Sequence, residues 1–233
     1  MDGDAGTQAR HVEEAIAARR SVRAFRAEPV ERALIVRMLA QAGRAPSGAN
    51  MQPWKIHVLM GEALASLASK MTAHYVETGR EPAPEFDYYP REWREPYLAR
   101  RREVGYALYA SLGIQRGDRD SMRRQQARNY MFFGAPVGLV FTIDRDLEAG
   151  SLLDIGMFMQ NLMVLAMANG LATCAQGAIA YYHELIRSEL KIPQGEMILC
   201  GMALGWPDWS AVENVFGTTR LPVEQFATFH ESI

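Results

Sequence analysis

The sequence predicts a single mixed domain, α+β or three-layer α/β, and three observations lead there. Four short runs with strand character, at 55–60, 137–143, 171–175 and 197–204, are set among stretches of helical periodicity. One segment, 155–171, is the most apolar long stretch yet carries Gln160, Asn161 and Asn169, the pattern of a helix buried in protein rather than in lipid. No stretch of the 233 residues has a linker's Pro/Gly/Ser composition, and a chain of this length can bury a sizeable core, so residues 1–233 read as one domain. Periodicity alone leaves the topology of the sheet open.

Val12, Ala15, Ile16 and Arg19 fall at helical spacing, so a first helix ends by delivering Arg19 to Arg23 to one place. A second helix over Val30–Ala42 carries Leu34, Ile35, Met38 and Leu39 on one face, with Pro29 as its start signal and Gly43 as its stop. A turn of small residues follows. Lys55 to Met60 alternates as a strand, Gly61 breaks it, and Leu64, Leu67, Ala68 and Met71 restore a helix. Next comes the unusual piece, Glu85 to Arg128, with a helical stretch over Leu152–Asn169 and the remaining strands after it. From Arg91 to Arg128 there are ten Arg and no Lys against five acidic residues, a local surplus of five in a chain whose net charge is −2. Phe86, Tyr88, Tyr89, Trp93, Tyr97, Tyr106 and Tyr109 interleave with this charge. Two readings fit: a solvated basic face, or a lid insertion at about 85–128 whose guanidinium and aromatic groups select a flat, anionic ligand. The acidic remainder of the chain argues against nucleic acid as a partner.

Twenty-five basic against 27 acidic residues give no whole-chain drive toward nucleic acid or a membrane surface. Cys174 and Cys200 lie in apolar strand-like runs, outside any disulfide or metal spacing, and read as buried free thiols in a reducing compartment. The first ten residues are polar and acidic, without the basic start or apolar run of a signal peptide, so a cytoplasmic location is expected. The chain has no Walker loop, nucleophile elbow, HExxH or Cys/His cluster, and His11, His57, His74, His183 and His230 are scattered. Neither a metal site nor a side-chain nucleophile is expected.

Chemistry concentrates in two segments. Arg19-Arg20-Ser21-Val22-Arg23 packs three guanidinium groups and a hydroxyl into five residues, and a guanidinium fork matches phosphate oxygens or the polar edge of a heterocycle. Ala45-Pro46-Ser47-Gly48-Ala49-Asn50-Met51-Gln52-Pro53-Trp54 is a turn of small residues with two amides and an indole, where backbone N–H groups can approach a flat ligand. Phosphate at one end and a ring at the other suggest a mononucleotide.

In these segments the sequence resembles the flavin-dependent nitroreductases, and within them the nitrobenzoate-reductase type of the bacterial enzymes. Cys174-Ala175-Gln176-Gly177 and Thr218-Thr219-Arg220-Leu221-Pro222 continue the match in the family's order, and the resemblance runs from about Val12 to about His230. It implies the nitroreductase fold, a three-layer α/β/α arrangement with a central mixed sheet, built as an intertwined homodimer with Leu152 to Asn169 at its centre. It further implies FMN as cofactor, NAD(P)H as electron donor, and ping-pong hydride transfer to a small nitroaromatic substrate, anionic in the manner of a nitrobenzoate.

By the same resemblance Arg19, Arg20 and Ser21 correspond to phosphate and ribityl contacts, and Arg23 to the cation at the pyrimidine edge that tunes the flavin. Pro46, Ser47, Gly48 and Asn50 correspond to the segment that reaches FMN from the partner subunit. Gln176 and Gly177 stand where backbone donors meet flavin N5, and Arg220 where a cation closes on the phosphate. Arg128 or Asn129 stands for a further helix-borne contact. The sequence departs from the family twice: Gln176 is often Glu, and Thr218 is Lys in some relatives. Because flavin carries the chemistry, no side chain is expected to be catalytic itself. The fold hosts other chemistries, so reductive dehalogenation of an aromatic ring, quinone or enone reduction, and non-catalytic flavin binding are the alternatives.

Overall fold

The computed structural model describes residues 12–231, so His11 and the acidic N-terminal segment lie outside the described residues. The elements are α1 (Val12–Ala18), α2 (Arg32–Ala42), β1 (Lys55–Met60), α3 (Gly61–Thr78), α4 (Tyr97–Ser111), α5 (Arg119–Ala127), β2 (Val137–Asp144), α6 (Ala149–Ala168), β3 (Ala172–Gln176), α7 (His183–Leu190) and β4 (Glu196–Gly205), joined by short 3-10 turns. Helix α2 starts two residues after the position that Pro29 suggested, because Glu31 is still extended and serves as its N-cap.

The strands form one sheet in the order β1-β2-β4-β3, with antiparallel neighbours throughout. Its parallel component is a single bridge, Ser21 to Thr173, laid along the outer edge of β3. The central strands β2 and β4 are buried along almost their whole length, as expected of strands covered on both faces. Period-two alternation sorts their side chains. Val137, Leu139, Phe141 and Ile143 join one core with α2 and α6, while Val140, Ile198 and Ala203 join a second core with α3 and α7. Two cores on opposite faces of one sheet make the three layers.

Helix α6 buries Ile155, Phe158, Leu162 and Ala166, at helical spacing, against the sheet and α2. Its other side leaves Leu152, Leu153 and Met157 exposed, Leu153 by 72%. Among the described residues α6 alone is long and apolar enough to cross a membrane, and its packing on the sheet accounts for that composition. The 85–128 segment folds into α4 and α5 and lies against the C-terminal residues, where Thr219 Oγ1 donates to Glu103 at 3.1 Å. No residue of α4 is buried.

Candidate active site

Helix α1 ends at Ala18, and the Arg19 N–H still bonds back to the Ala15 carbonyl at 3.0 Å. The chain then straightens. Ser21 bridges Thr173, Val22 N–H donates to the Thr173 carbonyl at 3.0 Å, and the Val22 side chain is buried with Ala15, Met167 and Ala172. Apolar anchoring of Val22 therefore fixes the polar residues on either side of it at the edge of β3.

The guanidinium groups are held from the far end of the chain. Asn214, buried at 2% exposure, accepts from Arg23 N–H at 2.7 Å and donates to the carbonyls of Ala24 and Asp208, each at 2.8 Å. Arg20 donates to the Asn214 carbonyl at 3.3 Å and lies over the Trp209 ring at 5.5 Å. Arg23 donates to the Ser21 carbonyl at 3.2 Å and lies over Phe216 at 5.7 Å. Arg128, directly after α5, pairs with Glu213 and donates to the Arg23 carbonyl at 2.9 Å, so it braces the segment. Sequence reasoning missed Asn214 and Glu213. A polar pair in a short turn, 191 positions from Arg23, leaves no local signal.

The charge of Arg220 reaches Arg19. Burial first, and the charge of Arg220 second, hold the Arg19 guanidinium below its ordinary pKa. Among the described residues neither forms an ion pair, and Arg220 is turned toward Thr218 Oγ1 at 2.7 Å and the Thr219 carbonyl at 2.8 Å. Two guanidiniums that repel each other, neither held in an ion pair among the described residues, suit an anion. Cys174 lies beside Arg23, Ser21 and Arg19, yet burial dominates and pushes its thiol up.

At the other end of β3, Gln176 is buried and donates to the Asn129 carbonyl at 2.6 Å, while its buried Oε1 has no hydrogen-bond partner among the described residues. The Asn129 side chain itself turns to the Gln126 carbonyl at 3.3 Å. A Cβ on Gly177 would come within 2.7 Å of the Tyr88 ring, so the bare α-carbon lets this ring rest against the strand end. From Tyr88 the rings run on to Tyr89 at 4.8 Å, Trp93 at 5.7 Å, and the Arg101 guanidinium 4.7 Å over Trp93.

Pro46, Ser47, Gly48 and Asn50 are not brought to this place. Gly48 N–H donates to the Asp154 carboxylate at 3.2 and 3.3 Å, Ser47 Oγ accepts from Gln52 N–H at 3.0 Å, and Ala49, Asn50 and Gln52 adopt positive φ. Asp154 lies in the N-terminal half of α6, whereas Val22 packs on Met167 at the helix's other end. At 1.5 Å per residue those two points on α6 are about 20 Å apart. Within one chain the turn and the Arg19–Arg23 segment are separate.

A groove of about 830 Å³ along α3 is lined by Leu64, Ala68, Val76 and Met131 among others and has no ionisable side chain and none of the expected site residues. No cluster of potential metal ligands occurs among the described residues.

The sequence profile described as "Nitroreductase family" matches residues 16–206. The nitrobenzene nitroreductase of Ectopseudomonas oleovorans is 38% identical over 94% of this chain and 97% of its own. The 4-nitrobenzoate reductase of Nocardioides sp. strain LMS-CY is 39% identical over 91% of this chain and 86% of its own. Among solved structures, the FMN and NADPH-dependent nitroreductase NfnB from sphigopyxis sp. strain HMH superimposes with a TM-score of 0.91 at 39% identity, covering 95% of this chain and all of the other.

Proposed function

Because the chain belongs to the nitroreductase family, we infer that it is an FMN-dependent NAD(P)H oxidoreductase that reduces nitroaromatic compounds. The observation that carries this reading is the Arg19–Arg220 pair, neither guanidinium held in an ion pair among the described residues, set beside Arg23 and the end of β3. That donor set fits a terminal phosphate, and the orphaned Gln176 Oε1, with the Tyr88 ring resting on Gly177, fits a flat polar ring at the strand end. FMN bound there supplies the two-electron chemistry that links NAD(P)H to a nitro group.

The side chains then divide the work. Arg19, Arg20, Ser21 and Arg220 hold the phosphate and ribityl chain. Arg23, whose backbone is fixed by Asn214, would offer its positive charge to a ring that gathers negative charge on reduction, and Gln176 and Gly177 would present backbone donors to that ring. Segment 85–128 acts as a lid, and its excess of arginine suits anionic nitroaromatics such as a nitrobenzoate. Acid release of bound flavin from the purified protein should yield FMN at one per chain, and NADPH oxidation should depend on added nitroarene. Recovery of no flavin after reconstitution overturns the reading.

Arg23→Ala is expected to slow reduction by NADPH by about 2–4 kcal/mol, roughly 30-fold to 1,000-fold, the scale of removing one preorganised donor from a developing anion. FMN should be retained, because Arg19, Arg20 and Arg220 still reach the phosphate. Stopped-flow absorbance reads the step directly; an unchanged rate with bound FMN removes Arg23 from the chemistry.

We further infer a homodimer. One chain leaves the Pro46–Asn50 turn apart from Arg19–Arg23, and a second copy docked on the exposed side of α6 can supply the turn. Leu152, Leu153 and Met157 on α6, with Phe226 and Phe229 near the C-terminus, offer that partner an apolar surface. Sedimentation should give a particle of twice the 26.1 kDa chain mass, and a flavin-loaded monomer refutes the proposal. A cytoplasmic location fits the two free, buried thiols, Cys174 and Cys200.

A further inference from the structure

We propose that the groove between the C-terminal end of α3 and the helices α4 and α5 binds the phosphorylated adenosine half of NADPH, a proposal that rests on the oxidoreductase reading above. The groove encloses about 700 Å³, within the range of small-ligand sites. Four guanidiniums line it, those of Arg80, Arg101, Arg119 and Arg123, against one carboxylate, Glu81. Glu81 is already engaged, accepting from the Tyr130 hydroxyl at 2.6 Å and from Gln126 Nε2 at 3.2 Å.

Among the described residues none of the four arginines forms an ion pair. Arg123 is pinned, donating to the Val76 carbonyl at 2.6 Å and lying close against Gly79. The exposed side chains of Arg80 and Arg119 have no protein hydrogen bond among the described residues and can turn to a ligand. Gathering four like charges without counter-ions opposes folding, and a polyanion relieves it.

The groove communicates with the active site along two routes. Tyr181, on its wall, belongs to the same 3-10 turn as Gly177. Arg101 lies over Trp93, whose ring continues through Tyr89 to Tyr88 on Gly177. A ligand that keeps a reactive ring at Gly177 and a multiply charged tail under α4 and α5 spans the whole strip. A dinucleotide phosphate has that form; a nitrobenzoate has one charge, on the reacting ring itself. Tyr109 and Tyr181 give an adenine flat apolar walls, and the exposed guanidiniums of Arg80 and Arg119 suit the 2′-phosphate that distinguishes NADPH from NADH.

The test compares the FMN-loaded wild type with the variant Arg80→Gln, whose residue lies outside the 85–128 lid, using stopped-flow reduction by NADPH and by NADH and calorimetric titration with adenosine 2′,5′-bisphosphate. The variant should need at least about tenfold more NADPH to reach half-maximal reduction. Its limiting rate, its response to NADH and its KM for 4-nitrobenzoate should stay near wild type, and the bisphosphate titration seen with wild type should vanish. Unchanged NADPH dependence and bisphosphate binding overturn the proposal, as does a variant whose defect falls on the KM for 4-nitrobenzoate. A wild type that binds FMN but is reduced by neither nucleotide overturns the oxidoreductase reading instead.

Discussion

Replacing Arg19 and Arg220 together by Gln is expected to raise the dissociation constant of FMN by about 10²–10⁴-fold, leaving most of the purified protein colourless. Each charge-assisted contact to a phosphate contributes about 1.5–3 kcal/mol, and among the described residues neither guanidinium is held in an ion pair. The single variants should lose less than half of the combined effect, because the surviving guanidinium is then relieved of its neighbour's repulsion. The apo form of the double variant should be no less stable than wild-type apoprotein, since it removes a like-charge contact. Fluorescence titration with FMN and thermal unfolding with and without it separate these outcomes. Wild-type affinity in the double variant places the phosphate elsewhere.

The second large effect lies at the root of the lid. Glu85→Ala should destabilise the protein by about 3–5 kcal/mol, the scale of breaking a buried ion pair from one side. The Glu85 carboxylate accepts from Ile198 N–H at 3.1 Å, from Arg187 at 3.1 Å and from Arg145, with His183 Nδ1 at 3.8 Å. Arg187 is only 8% exposed, and although the carbonyls of Pro193 and Glu196 accept from it, the substitution leaves its charge uncompensated. Burial pushes the Glu85 carboxyl up, but the hydrogen bonds from Arg145 and the Ile198 N–H, with the charges of Arg145 and His183, outweigh it and hold the group below its ordinary 4.5. A depressed folded-state pKa means stability that is present above the unfolded value and lost as pH falls through the folded one. Urea denaturation should show the full gap between wild type and Glu85→Ala at pH 7 and a narrowing gap below about pH 4.5. A gap under 1 kcal/mol at pH 7 removes Glu85 as an anchor.

By itself the sequence determined what is local. Alternation located the strand at 55–60, and short apolar runs located those at 137–143 and 197–204, which the structure extends by a residue or so, because strands buried on both faces read as near-continuous apolar runs. The Arg19–Arg23 group was legible because its donors are contiguous and need only one anchored neighbour, Val22, to stay together. The long helix was legible from composition, since α6 packs one apolar face on the sheet and α2 and carries further apolar residues on its exposed side. Ordered motifs, Gln176-Gly177 and Arg220 included, carried the resemblance to the family, and with it the cofactor and reaction class. Only the tertiary structure decided which distant groups hold these motifs in place. Asn214 on the Arg23 backbone, Glu213 on Arg128, Glu85 on the β4 backbone, and the seating of Pro46–Asn50 on Asp154 rather than beside Arg19 all join positions far apart in the chain. No periodicity or spacing records such pairs, because each follows from where packed helices and strands leave a buried polar group in need of a partner.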